Sequence, residues 1–221
     1  MLSYAEIKAD PQVRTYIKKA DEAMAAIGFT EHGFAHVTRV AAEAKIILAA
    51  RGYSEHDQEL AQIAGYLHDI GNVVNRIDHA QSGAIMAFRI LDRLGFDPED
   101  IAVIVSAIGN HDESTAYPVN PVAAALILSD KTDVRRTRVR NQKVAATSSD
   151  IHDRVNYAVE KARTTLSEDG LYIIQNLTID TGICAVMDYF EIFLTRMLLC
   201  RKAAEKLGMR FRLVINNQEL L

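Results

Sequence analysis

The sequence predicts a mainly α-helical bundle with a small α+β appendage at its C-terminal end, and three observations carry that expectation. Capping side chains stand directly before prolines at Asp10-Pro11, Asp97-Pro98 and Asn120-Pro121, an arrangement suited to the first turn of a helix. Apolar residues recur at helical spacing through the first 133 residues, with Gly28, Gly52, Gly71 and Gly95 where helices should stop. Beyond that point the chain turns to β-branched and aromatic residues around strong turn signals. The expected division is a helical domain over residues 1–140 and an α+β appendage over 141–221.

Taken in order, the start and stop signals give helices near 11–27, 33–51, 55–70, 79–94, 98–111 and 121–133, with Ser54 as a further N-cap. The basic run RRTRVRNQK (135–143) and the small polar stretch AATSSD (145–150) read as an exposed connection, in which Arg138 and Arg140 are expected to be solvated. Residues 154–166 and 171–179 flank the turn Ser167-Glu168-Asp169-Gly170 and read as a hairpin, although RVNYAVEKARTTL also suits a helix. A long apolar helix near 182–207 ends at Gly208, and FRLVI (211–215) reads as a strand before Asn216-Asn217.

With 221 residues, 49% hydrophobic and 24% charged, the chain falls in the ordinary globular class and can build one sizeable core. A formal net charge of −4 gives no global reason to expect nucleic acid or an anionic membrane, so the expected partner is a small molecule, with a homo-oligomer left open. Cys184 and Cys200, sixteen residues apart on one expected helix, are too distant to bridge and read as reduced core thiols. MLSYAEIKADPQVR has no apolar leader and no run of eighteen apolar residues occurs, which points to a non-secreted, cytoplasmic chain without a membrane partner.

The dipeptide His-Asp occurs four times, at His56-Asp57, His68-Asp69, His111-Asp112 and His152-Asp153. In the helix ending near Gly71, the stripe Leu60, Ile63, Ala64, Leu67 continues to His68, whereas His56 lies three turns earlier among charged residues and cannot share its site. The same extension places His111 after Ile101, Ile104, Val105 and Ile108, and Asp130 after Ala123, Leu126 and Ile127. It places His79 before Ser82, Gly83 and Met86, and His36 one turn before Val40. Any one inward histidine is ordinarily a hydrogen-bonded core residue. Four inward histidines and two aspartates without a shared metal would bury several unpaired polar groups, each costing about 1–3 kcal/mol.

These residues carry a resemblance. The order His36, His68-Asp69, Asp130, within HVTRVA (36–41), LHDIG (67–71) and LSDKTD (128–133), resembles the H…HD…D signature of the HD-domain metal-dependent phosphohydrolases, a helical superfamily. His79 in HAQSGA and His111 in AIGNHDE resemble the additional ligands of its binuclear members, which include bacterial symmetrical diadenosine tetraphosphate hydrolases and HD-GYP phosphodiesterases. The resemblance covers residues 32–136 and implies that His36, His68, Asp69 and Asp130 hold one ion, while His79, His111 and a bridging Asp69 hold the other. His32, Asp112, His152 and Asp153 are expected to be surface or capping residues.

Such a mixed imidazole and carboxylate set suits Fe or Mn, with Zn, Co or Ni as alternatives, and is too nitrogen-rich for a dedicated Mg or Ca cage. One or two such divalent ions imply hydrolysis of a phosphate ester or anhydride of a nucleotide-like small molecule by a metal-bound hydroxide, with Asp69 as ligand and candidate proton acceptor. Arg39, Lys131 and Arg136 are the expected contacts to the phosphorylated substrate. Asn72 stands where many binuclear members carry Lys, and it cannot neutralise phosphate. The chain lacks the GYP-type segment, which argues against cyclic dinucleotides. Two rivals remain: a di-iron oxygenase on an HD-like fold, such as myo-inositol oxygenase, and a metal-containing binding or regulatory module.

Overall fold

A computed structural model describes residues 3–141, 145 and 151–220, together with the backbone alone at His152 and Asp153. The chain divides into two compact units, Met1–Asp130 and Lys131–Leu221, where the sequence places a join near 140.

The first unit is helical: α1 (Tyr4–Ala9), α2 (Pro11–Ala26), α3 (Phe34–Ala50), α4 (Glu55–Leu67), α5 (His79–Leu94), α6 (Pro98–Gly109) and α7 (Pro121–Lys131), the last residue of which opens the second unit. The caps form as the side chains dictate. Asp10 Oδ1 accepts from the amides of Gln12 and Val13, Ser54 from Asp57, Asp97 from Glu99, and Asn120 from Ala123. Helix α1, absent from the sequence expectation, is a six-residue element held by a capping box between Ser3 and Glu6.

Gly28, Gly52 and Gly95 end their helices in the left-handed region, at φ 85°, 72° and 78°. Gly71 does not. Helix α4 stops at Leu67 rather than near 70, and Gly71 lies in a 3₁₀ turn, Ile70–Val73. There a Cβ would collide with the carbonyl oxygen of His79 and the amide of Gly83, so Gly71 is required for the close crossing of α5 rather than for a stop. Gly65 plays the same part between α3 and α4, where a Cβ would meet the Ala41 Cα at 2.8 Å.

The second unit contains a 3₁₀ turn (Arg136–Arg138), α8 (Ile151–Ala158), β1 (Val159–Leu166), β2 (Tyr172–Ile179), α9 (Val186–Lys206), β3 (Arg210–Ile215) and β4 (Gln218–Glu219). Its sheet runs in the order β1-β2-β3-β4, with β2 and β3 parallel and the other pairs antiparallel. The parallel pair requires a crossover, which α9 supplies. The hairpin turns at Ser167–Gly170, where the Gly170 amide donates to the Ser167 carbonyl.

Three expectations for this unit are corrected. Residues 154–158 belong to a helix, whose buried Val155 and Ala158 lie at i, i+3, so the strand begins at Val159. Cys184 precedes α9 instead of lying on it; it and Cys200 are buried, unbridged thiols. Arg138 is buried, not solvated, because its Nη1 donates to the Asp133 carbonyl at 2.7 Å, whereas Arg140 is exposed. The stretch AATSSD, apart from helical Ala145, and the side chains of His152 and Asp153 lie outside the described residues. The architecture is mainly α with a small C-terminal α+β part, and among the described residues no helix is long and apolar enough to cross a membrane.

Candidate metal centre

The first unit brings His36, His68, Asp69, His79, His111 and Asp130 together in its interior, and each is at most 9% exposed. His36 comes from the first turn of α3. His68 and Asp69 form the link between α4 and the 3₁₀ turn, and Asp69 adopts φ −97°, ψ 0°, the sparsely populated bridge region common at functional sites. His79 opens α5, His111 follows the end of α6, and Asp130 sits in the last turn of α7. The imidazole rings of His36, His68, His111 and His79 follow one another edge to face, with centroids 5.2, 5.0 and 5.0 Å apart.

The histidines are aimed by their backbones. Nδ1 of His68, His79 and His111 lies 2.9, 3.0 and 2.6 Å from the carbonyl three residues earlier, of Gly65, Arg76 and Ile108. A carbonyl only accepts, so Nδ1 carries the proton and Nε2 presents its lone pair inward, the tautomer that a metal ligand needs. His36 Nε2 is 3.3 Å from Asp130 Oδ1 and 3.7 Å from Asp69 Oδ2, and His68 Nε2 is 3.2 Å from Asp69 Oδ2. On the other side His79 Nε2 is 3.6 Å from Asp69 Oδ1 and 3.2 Å from His111 Nε2. The two Asp69 oxygens therefore face opposite halves of the cluster.

These residues fit a divalent ion. Two ligand atoms each about 2.1 Å from one ion, at tetrahedral or octahedral angles, are roughly 3.0–3.4 Å apart. Two trios, His36, His68 and Asp130, and His68, Asp69 and His111, already have donor atoms within 4.8 Å of one another. His68 Nε2 and Asp69 Oδ2 are buried and make no hydrogen bond. Most telling, the Nε2 atoms of His79 and His111 face each other at 3.2 Å while both Nδ1 atoms are held on carbonyls. Two lone pairs at that distance repel unless a positive charge lies with them, whether that of an ion or that of the Arg76 guanidinium, 3.2 Å from His79 Nε2. Burial alone would raise the Asp69 carboxyl, but positive charge beside it, whether on His68, His32 and His79 or on an ion among them, holds it well below the usual carboxylate range.

Asn72, unable to neutralise phosphate, holds Asp69 instead: its Nδ2 donates to the Asp69 carbonyl and to Oδ1, at 3.0 and 2.9 Å. Of the expected substrate contacts, Arg39 donates to Glu43 at 2.6 Å, while Lys131 and Arg136 belong to the second unit, where Arg136 stacks over Tyr157 with its Nε and Nη2 buried. His56 is bound to Asp100 at 2.8 Å.

Three residues were missed or misjudged. His32, expected at the surface, is buried, its ring 5.7 Å from that of His36 and its Nδ1 on the Thr30 carbonyl. Asp112, also expected there, is partly buried with Oδ1 4.0 Å from His79 Nε2. Arg76, with no expected role, places Nη1 3.2 Å from His79 Nε2. No spacing signal identified His32 or Arg76, since one precedes α3 and the other lies in the irregular link before α5.

A helical unit that converges histidines and aspartates from five segments on one buried point defines a class of metal-site proteins. The HD domain model matches residues 33–191, more than half of the chain, and the chain belongs to that family. It is also 25% identical over 159 residues to an uncharacterized protein of Methanocaldococcus jannaschii, an alignment covering 62% of this chain and 61% of that relative's length. A solved structure described as a predicted HD superfamily hydrolase, from an uncultured Thermotogales bacterium, shares 26% identity with a TM-score of 0.45 over 61% of this chain and 75% of the other.

Proposed function

We propose that this chain is a metal-dependent phosphohydrolase that cleaves a phosphate ester or anhydride of a nucleotide-like small molecule. The observation that carries the reading is the facing pair of Nε2 atoms on His79 and His111, which extends the H…HD…D set into a second half-site. In this reading His36, His68, Asp69 and Asp130 hold one ion, and His79, His111 and the other oxygen of Asp69 hold the second. When bound, divalent ions here supply a water of lowered pKa and positive charge against phosphoryl oxygens.

The chain's own residues do the rest. Asp69, fixed by Asn72, presents one oxygen to each half and would hold the ions there as an ionised carboxylate. The carbonyls of Gly65, Arg76 and Ile108 keep the imidazoles in their ligating tautomer. Burial of all six side chains excludes competing water and strengthens every charge interaction among them. Of the expected substrate cations, Arg39 is the one within the first unit, where it is paired with Glu43. The likeness of the five-segment motif to symmetrical diadenosine tetraphosphate hydrolases supports a nucleotide-like substrate.

The test is a phosphate-release screen of manganese- or iron-loaded protein against nucleoside mono- and polyphosphates, dinucleoside polyphosphates and simple phosphate esters. Hydrolysis of at least one class, abolished by chelation, is expected. No hydrolysis together with oxygen consumption on a polyol would replace this reading with the oxygenase one; neither activity would leave a metal-containing binding module.

A further inference from the structure

We propose that Arg76 is a substrate-positioning residue which grips phosphoryl oxygens at the His79–His111 half of the site; the proposal rests on the phosphohydrolase reading above. Arg76 lies in the link between the 3₁₀ turn and α5, three residues before His79, where Asp78 turns the chain in the left-handed conformation at φ 57°. That link directs the Arg76 carbonyl onto His79 Nδ1 and its guanidinium over the same ring.

Apart from the 3.2 Å approach to His79 Nε2, the guanidinium's contacts are at 3.5 Å or beyond, and none is a committed ion pair. Nη1 is 3.2 Å from His79 Nε2, 3.5 Å from His79 Nδ1 and 3.5 Å from Asn72 Oδ1; Nη2 is 4.0 Å from Asp112 Oδ1; and the guanidinium carbon stands 5.4 Å from the centre of the Phe29 ring. Charge-assisted bonds in a committed pair are about 2.7–2.9 Å. A fork of five donors here therefore has much of its binding capacity to spare. The side chain is 30% exposed, whereas His79, His111 and Asp69 beside it are deeply buried.

His79 has one lone pair to give, because its Nδ1 proton is committed to the Arg76 carbonyl. Nη1, at 3.2 Å from Nε2 and 3.5 Å from Nδ1, lies over the face of the ring and not on that lone pair, so His79 can ligate an ion with Arg76 in place. An ion at His79 would leave the guanidinium beside a half-site that carries added positive charge. There a phosphoryl group, presenting two oxygens to the planar fork, is the complementary partner. Arg39, by contrast, is committed to Glu43 at 2.6 Å.

The rival role is structural, in which Arg76 serves only to orient His79, and the two roles predict opposite effects on metal binding. Manganese stoichiometry and affinity are measured by calorimetry, and inorganic phosphate affinity of the manganese-loaded protein by equilibrium dialysis, for the parent, Arg76→Gln and Arg76→Lys. The proposal expects Arg76→Gln to keep the parent's manganese stoichiometry, with affinity equal or higher, and to lose phosphate affinity by about 10–100-fold, part of which Arg76→Lys restores. Loss of manganese in Arg76→Gln, or phosphate affinity equal to the parent's, overturns it. A parent that binds neither manganese nor phosphate overturns the phosphohydrolase reading itself, and this proposal with it.

Discussion

Asp69 divides its two oxygens between His36 and His68 on one side and His79 on the other, so its carboxylate faces both halves of the cluster. Asp69→Ala should therefore lose all or nearly all bound metal, and elemental analysis finding full occupancy would refute the ligand assignment. The outer histidines should separate from the inner ones. His79→Ala and His111→Ala should each retain about one ion and lose most hydrolysis, since one ion cannot clamp both attacking and leaving oxygens; unchanged turnover in both would mean a mononuclear enzyme. At this scale the sequence was informative wherever a helix stripe ran on to an ionisable residue, as at His68, His111 and Asp130. It was silent on His32 and Arg76, which approach the cluster from irregular segments where no periodicity constrains direction.

Elements position the cluster through two close approaches, one where Gly65 of α4 meets Ala41 of α3 and one where Gly71 of the 3₁₀ turn meets His79 and Gly83 of α5. The first keeps His36 beside His68, and the second keeps His79 beside Asp69. Gly65→Val should lower stability by at least about 1–3 kcal/mol, the usual cost of overpacking, read as a lower melting temperature by circular dichroism. Gly71→Ala meets backbone rather than a side chain that can swing away, so it should also remove the second ion; a variant with parent-like metal content would show that α5 can retreat without moving its histidine. Helix starts were legible because a cap is a local event, decided by one side chain and the amides two or three residues on. The end of α4 was not, because the reason for Gly71 lies on another helix. The boundary of β1 was missed for a related reason: Arg154-Val155-Asn156-Tyr157 alternates like a strand over four residues, and only the burial of Val155 with Ala158 reveals the helix.

For the whole molecule, metal and stability should be linked. If the ions bind only the folded chain, a free metal concentration of about 100 times Kd adds roughly 2.7 kcal/mol, so chelation should lower the melting temperature by about 5–11 °C for a chain of this length. A melting curve indifferent to chelator would place the ions outside the folding equilibrium. The broad architecture was readable because helical and strand-like patterns occupy separate stretches, but the chain's own division into Met1–Asp130 and Lys131–Leu221 falls inside α7, where no linker composition announces it.

That placement bears on how such a protein could be recombined. Asp130 and Lys131 are consecutive residues in the last turn of one helix, so a crossover between relatives at the unit boundary would splice foreign sequence directly onto a proposed ligand. The HD match runs through the same point, from residue 33 to 191. A chimera joined after Asp130 should lose metal, whereas one joined after Asn141, with α7 and the following turn inherited intact, should keep it. The appendage can thus be exchanged as a module only along a seam that lies downstream of the boundary its own compactness defines.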